Sequence, residues 1–282
     1  MSGILIGGFY ALVASGKTVF IGTIKVINLA YGEQLILGAF TSYWLVKLWG
    51  VDPILSMPVA GAVAFITGVA IQHWLITPTK MRVNPRDYRI TSCVVTFGIS
   101  LALQSLFSGL WTSYMKSLTV PYMMQSLDIF GIQLGFGLLL SFGLSLIVTM
   151  GFYTFLKRTD FGIAVRATGQ SELTATLMGI DTKQVFLVTN GLCSAIAGVS
   201  GTLFGILFVF GPFSGPLAML RAFAIAVLGG VGNLKGALLA ALSIGIIESV
   251  SMTLLPAIYR DVVIFAIFII AVLVRSGEIF GD

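Results

Sequence analysis

Three ionisable residues, Lys17, Glu33 and Glu248, fall inside stretches that are otherwise apolar. An acid or base at the centre of a bilayer costs about 2.5–3.5 kcal/mol on insertion scales, so such groups face a wet cavity or a partner. Lys17 and Glu33 lie on consecutive apolar runs and can pair; alternatively, Lys17 snorkels towards an interface. Glu33 closes the interruption Asn28-Leu29-Ala30-Tyr31-Gly32, which makes Asn28, Tyr31, Gly32 and Glu33 candidates for lining a solute pathway. A second interruption, Gly229-Gly230-Val231-Gly232-Asn233-Leu234-Lys235-Gly236, adds Gly230, Gly232 and Asn233. Broken helices at corresponding places in two halves point to transport, whereas the glycines alone also serve close helix packing.

Other chemistries lack the residues they need. Ser15-Gly16-Lys17-Thr18 resembles the end of a phosphate-binding P-loop, but Ala11 stands where that motif needs its first glycine, and no strand precedes it. The cluster at 229–236 lacks the GxGxxG spacing. No paired carboxylates, Ser/His/Asp or Cys/His arrangement offers a catalytic residue, so no catalytic and no metal site is expected. Cys93 and Cys193 each sit in an apolar run without a CxxC partner, and His73 is the one histidine, too few for a typical zinc site.

The elements that must hold these residues follow from composition. Of 282 residues 57% are hydrophobic and 10% charged, against about 25% charged in a soluble domain, and mean hydropathy is +1.02. A soluble enzyme, a DNA-binding module and a disordered scaffold are thereby excluded. Nine runs approach the ~20 residues that cross a bilayer as helix: Gly3–Ile24, Val26–Trp49, Ile54–Thr77, Ile90–Trp111, Gly131–Leu156, Phe186–Phe210, Leu217–Leu234, Gly236–Leu255 and Val262–Val274. They are too long and too unalternating for barrel strands. The expected fold is all-α, a polytopic membrane protein of about eight or nine transmembrane helices, some broken or half-length, forming one domain over residues 1–282. Hydrophobic residues begin at Gly3 without a basic leader, so no cleaved signal is expected.

Orientation comes from the loop charges. With the amino terminus outside and the carboxy terminus inside, the inner side receives Lys25, Lys80, Arg82, Arg86, Arg89, Lys157, Arg158, Arg166, Lys183, Lys235 and Arg275. The outer side receives only Lys47, Lys116, Arg221 and Arg260. This asymmetry obeys the positive-inside rule and accounts for the net charge of +5 without a nucleic-acid partner. Trp44, Trp49, Trp74 and Trp111 lie near span ends, as interface anchors do.

The longest inner polar stretch, 157–186, carries a short amphipathic helix. Ser171 can cap its start and Gly179 its end, and Leu173, Leu177 and Met178 make one edge apolar. Flanked by Arg166 and Lys183, this segment suits docking on lipid or in a partner's groove.

Several stretches, in order along essentially the whole chain, resemble branched-chain amino acid ABC transporter permeases. They are Gly8–Ala14, Val26–Glu33 and Leu37–Phe40; Thr96-Phe97-Gly98-Ile99-Ser100; Arg158–Ile180 with Gly162, Arg166-Ala167 and Leu177-Met178-Gly179-Ile180; Leu220–Phe223; Ala226–Asn233 with Gly236-Ala237; and Glu248-Ser249. The sequence departs from the family's pattern at Lys17, Leu29 and Tyr31. The resemblance implies a multi-pass subunit of a bacterial or archaeal plasma (inner) membrane importer. It implies a second permease chain, homologous or identical, two cytosolic ABC ATPases that carry the ATP and Mg, and an extracytoplasmic solute-binding protein. No cofactor is expected on this chain itself. It also adds Thr96 to the pathway candidates, and marks Arg166, Ser171, Leu173, Leu177, Met178 and Gly179 as the ATPase-coupling set. An ion-coupled secondary transporter or a channel for a small polar solute is the alternative.

Overall fold

The computed structural model describes residues 2–84, 87–120, 122, 125–129, 132–254, 256 and 260–274. Arg86, Gly131, Leu255 and Arg275, named above, lie outside them. The helices are α1 (Ser2–Ile24), α2 (Tyr31–Trp49), α3 (Pro53–Ile71), a π-helical turn (Gln72–Ile76), α4 (Thr77–Arg82), α5 (Tyr88–Trp111) and α6 (Phe136–Arg158). They continue with α7 (Asp160–Gln170), α8 (Glu172–Leu177), α9 (Thr182–Leu207), α10 (Gly215–Leu228), α11 (Leu234–Leu254) and α12 (Arg260–Val274). All nine apolar runs are helical over most of their length. Among the described residues six helical stretches are long and apolar enough to cross a membrane: Ser2–Ile24, Pro53–Arg82, Tyr88–Trp111, Phe136–Arg158, Thr182–Leu207 and Leu234–Leu254.

Of the other three runs, the second and seventh come out shorter than the sequence suggests. The second is not helical until Tyr31, because the backbone of 25–30 is bonded to Lys17 on α1 and Thr96 on α5. The seventh stops at Leu228, where Gly230 and Gly232 take positive φ of 87° and 81° and turn the chain. The ninth run is short already in sequence and lies wholly within the 15-residue α12. A further correction concerns the fifth run. Residues before Phe136 form a small antiparallel hairpin, β1 (Ser126–Ile129) with β2 (Ile132–Gly135), in register Ser126↔Gly135 and Ile129↔Ile132. The helix therefore starts five residues later than expected, and the all-α architecture carries this one two-stranded appendage.

Helix α1 is apolar on every side and runs through the middle of the bundle, packed on α6, α9, α10 and α11. A helix without a polar face must be surrounded, and 89% of its most apolar stretch is buried. Helix α9 is the second central element and packs on α2 and α3. Its approach to α2 is backbone to backbone: a Cβ on Gly38 would stand 2.5 Å from the Cα of Gly198. Without water to drive association, small residues that let helices approach are what hold such bundles together. By contrast α5, α6 and α11 present Ile90, Val94, Ile147, Met150 and Leu239 outward, as lipid-facing helices do.

Candidate functional site

Residues 25–30 leave the end of α1 and fold back along it. The ammonium of Lys17 donates to the Asn28 carbonyl, and the Tyr31 hydroxyl donates to the Val13 carbonyl at 2.8 Å. Val13 lies near the middle of α1, so α2 begins at mid-depth. The Asn28 carboxamide accepts from Ala30 N at 2.9 Å, and Thr96 on α5 accepts from Leu29 N at 3.1 Å while donating to Ser92 O at 2.9 Å. Irregular backbone is tolerated at membrane depth only when protein or a cavity satisfies it, and these contacts supply that.

A second segment mirrors the first. After α9, Phe210 pairs with Lys116 in an isolated bridge and packs its ring on Phe40. The chain then runs back to Gly215, which opens α10 against Gly32 and Glu33. The amino-terminal ends of α2 and α10 therefore meet in the interior, each presenting the positive end of its dipole.

Glu33 stands at this meeting point and is fully buried. Its Oε1 accepts from Ser100 Oγ at 2.9 Å and Gln104 Nε2 at 3.0 Å. Its Oε2, Asn28 Nδ2, Gln34 Nε2 and Thr18 Oγ1 are buried without a hydrogen-bond partner among the described residues. Ser92, Thr96, Ser100 and Gln104 follow one another every four residues, so they form a single buried polar column on an otherwise largely exposed, apolar α5. Beyond Gln104 the column ends in aromatic rings. Phe40 stacks on Trp111 with centroids 4.5 Å apart, and Phe107 and Phe210 pack around them.

The structure thus brings Asn28, Tyr31, Gly32, Glu33 and Thr96 into one site. It does not bring Gly230, Gly232 or Asn233 there. Those lie beyond the opposite end of α10, about 20 Å away at helical rise. Gly232 N donates to Thr18 O at 3.2 Å against Gly22, and Asn233 caps Gly236 N at 3.1 Å. The optional Lys17–Glu33 ion pair is not formed. Lys17 is fully buried, bonds Asn28 and lies 5.3 Å from the Tyr31 ring centre, so it does not snorkel either. Glu248 is buried on α11, three residues after Gly245, whose backbone meets Gly3 and Gly7. Reading the sequence for ionisable groups missed Ser92, Ser100, Gln104 and Gly215; the four-residue spacing of polar side chains in α5 was the available signal.

The segment 157–186 takes the expected form and extends it. Ser171 Oγ accepts from Thr174 N at 3.2 Å to cap α8, and Gly179, at φ 84°, ends it. Leu173, Leu177 and Met178 are 73%, 78% and 79% exposed. Before it, Thr159 caps α7, a second amphipathic helix in this stretch, and Arg166 folds back to donate to Leu156 O. Lys80 on α4 forms an ion pair with Glu172 at the start of α8. His73 is exposed beside Trp74.

Residues 1–272 match the family described as branched-chain amino acid transport system, permease component. The high-affinity branched-chain amino acid transport system permease protein LivH of Escherichia coli K12 is 31% identical over 99% of this chain and 94% of its own length. LivH of Salmonella typhimurium is 30% identical over the same shares. BraD of Pseudomonas aeruginosa, a permease protein of the same description, is 29% identical over 100% of this chain and 94% of its own. No solved structure matches the chain.

Proposed function

The chain belongs to the branched-chain amino acid transport system permease family, and from that premise we propose that it forms the solute pathway of an ATP-driven importer for branched-chain or related amino acids. It is a multi-pass membrane protein. The observation that carries the proposal is the meeting of two helix amino termini at a buried acid in the interior. An amino acid is a zwitterion. Helix amino termini offer N–H groups and a positive dipole end to its carboxylate, and the Glu33 carboxyl offers an acceptor to its ammonium. The polar column on α5 gives the solute successive hydrogen-bond partners towards the inner side, and the Phe40–Trp111 stack closes the other end.

Two cytosolic ABC ATPases, carrying ATP and Mg, drive the cycle in this reading. A second permease chain completes the membrane assembly, and an extracytoplasmic binding protein delivers solute at the plasma membrane. This chain performs no catalysis and holds no cofactor. The exposed α8 edge receives the ATPase, and the Lys80–Glu172 pair ties that edge to the bundle. With the amino terminus outside, this coupling region faces the cytosol.

The test is reconstitution in liposomes with partner ATPases, a second permease and a binding protein of the same transport system. Leucine uptake that requires ATP inside and stops when the ATPases are omitted is the expected result. Uptake by this chain alone, driven by a proton or sodium gradient, would overturn the proposal.

A further inference from the structure

Two cavities adjoin on the outside of the bundle where α6 passes α11. One, of about 600 Å³, is walled by Lys157, Arg166, Gln170, Asn233 and Lys235, against the end of α1. The other, of about 510 Å³, is walled by Ile147, Met150, Tyr153, Leu234 and Leu238. Tyr153, Leu234 and Lys235 border both, so the two form one continuous feature with a cationic head and an apolar tail. Three bases and no acid line the head. Arg166 spends one N–H on Leu156 O, which leaves the rest of its donor fork for a ligand.

The tail lies along the face of α6 that carries Ile147 and Met150, both about two-thirds exposed. From Lys157 back to Ile147 the helix rises about 15 Å, half the ~30 Å thickness of the hydrocarbon core. The feature therefore has the length of one leaflet, the charge for a phosphate at its rim, and hydrocarbon walls below.

We propose that it binds one anionic phospholipid, its phosphate held by Lys157, Arg166 and Lys235 and one acyl chain lying between α6 and α11. Basic pockets between helices at a membrane surface take anionic headgroups. A free phosphate or an acidic side chain of an ATPase would use the head only and would leave the joined apolar groove without a role. The inference does not depend on which solute the chain transports.

The experiment is native mass spectrometry of the full chain released from micelles doped with phosphatidylglycerol or phosphatidylcholine. One phosphatidylglycerol should be retained preferentially. In Lys157→Gln/Lys235→Gln its affinity should fall roughly 25-fold, the product of two cations worth about fivefold each. Met150→Trp, which fills the tail, should also lower retention, and this separates a lipid from inorganic phosphate. Arg82→Gln, an exposed base that lines neither cavity, should leave retention unchanged. Equal retention of the two lipids, or unchanged retention in the double variant, overturns the proposal. So does a double variant that loses ATPase association but keeps its lipid, because the cleft would then belong to the ATPase.

Discussion

Gly215 sits so close to the Glu33 carboxyl group that a methyl group there would stand 2.6 Å from Glu33 Cδ. Two helices can begin side by side at a buried acid only if one contributes a residue without a side chain. Gly32 is tighter still, since a Cβ there would meet the Gly215 backbone rather than a movable side chain. Gly215→Ala should displace the carboxyl from Ser100 and Gln104, at about 1–3 kcal/mol for a broken buried hydrogen bond, and slow transport with the chain still in the membrane. Gly32→Ala should cost more, because backbone must shift, and should lower the amount of folded protein. Quantifying both variants in membranes and in uptake assays checks the order; equal behaviour would mean the two helix starts are not in contact.

Glu33→Gln keeps the shape of the side chain but halves its accepting capacity and removes its charge. Ser100 and Gln104 can still donate to the remaining carbonyl oxygen, so the bundle should survive. Transport should fall at least tenfold, the loss of about 1.4 kcal/mol or more of binding to the solute's ammonium. Uptake at the wild-type rate would give Glu33 a purely structural role, and disappearance of the folded chain would do the same.

Lys80 and Glu172 join α4 to α8 across 92 positions of sequence, with side chains 33% and 44% exposed. Lys80 also lies 4.6 Å from the Phe186 ring centre, at the start of α9. Such a partly exposed pair adds about 1 kcal/mol or less to stability, so its consequence is position. Lys80→Glu should leave the chain folded and reduce ATP-dependent uptake a few-fold by freeing α8. The exchange Lys80→Glu/Glu172→Lys should restore much of it. No recovery in the double variant would show that the two residues act separately.

At the other end of the bundle the Tyr122 hydroxyl donates to the carboxylate of Asp52, the residue whose other oxygen caps α3. Burial and then this carboxylate hold the phenol up at about 12. Below its ordinary value near 10 the phenol is protonated in folded and unfolded chain alike, so the contact's contribution is complete there. It is lost as pH rises through about 12. Thermal unfolding of the wild type should therefore fall off over this alkaline window, and Tyr122→Phe should remove that step. Identical profiles would mean that the tether does not form in solution.

Run length and composition announced the helices because lipid leaves a backbone almost no other choice. What escaped them was non-local. Val26, Ile27 and Leu29 are as apolar as any helical residue, yet the segment is irregular because Thr96, far along the chain, and Lys17, on the preceding helix, bond its backbone. Glu33 stood out as an acid in an apolar run, but its donors could be named only once α5 was laid against α2. The glycines at 229–236 marked a real break, and only the fold shows it ending at Gly22 rather than at Glu33. The cap and stop of α8 were legible because Ser171 and Gly179 act within one turn of their own helix.

That local helix supports the last prediction. Leu173, Leu177 and Met178 remain exposed while Ala175, on the opposite face, is buried against the bundle. An apolar edge held out into water by a capped helix costs solvation unless something covers it, and helix-in-groove recognition uses this i,i+4 spacing. Covering each leucine contributes roughly 1.5–3 kcal/mol. Leu173→Ser/Leu177→Ser should thus weaken ATPase retention by several kcal/mol at most, with insertion unchanged because the residues touch little of their own chain. Co-purification from detergent and ATP-dependent uptake should fall together. If the double variant keeps its ATPase but binds lipid differently, α8 lies on the membrane surface; if it keeps both ATPase and transport, coupling runs through another part of the inner face.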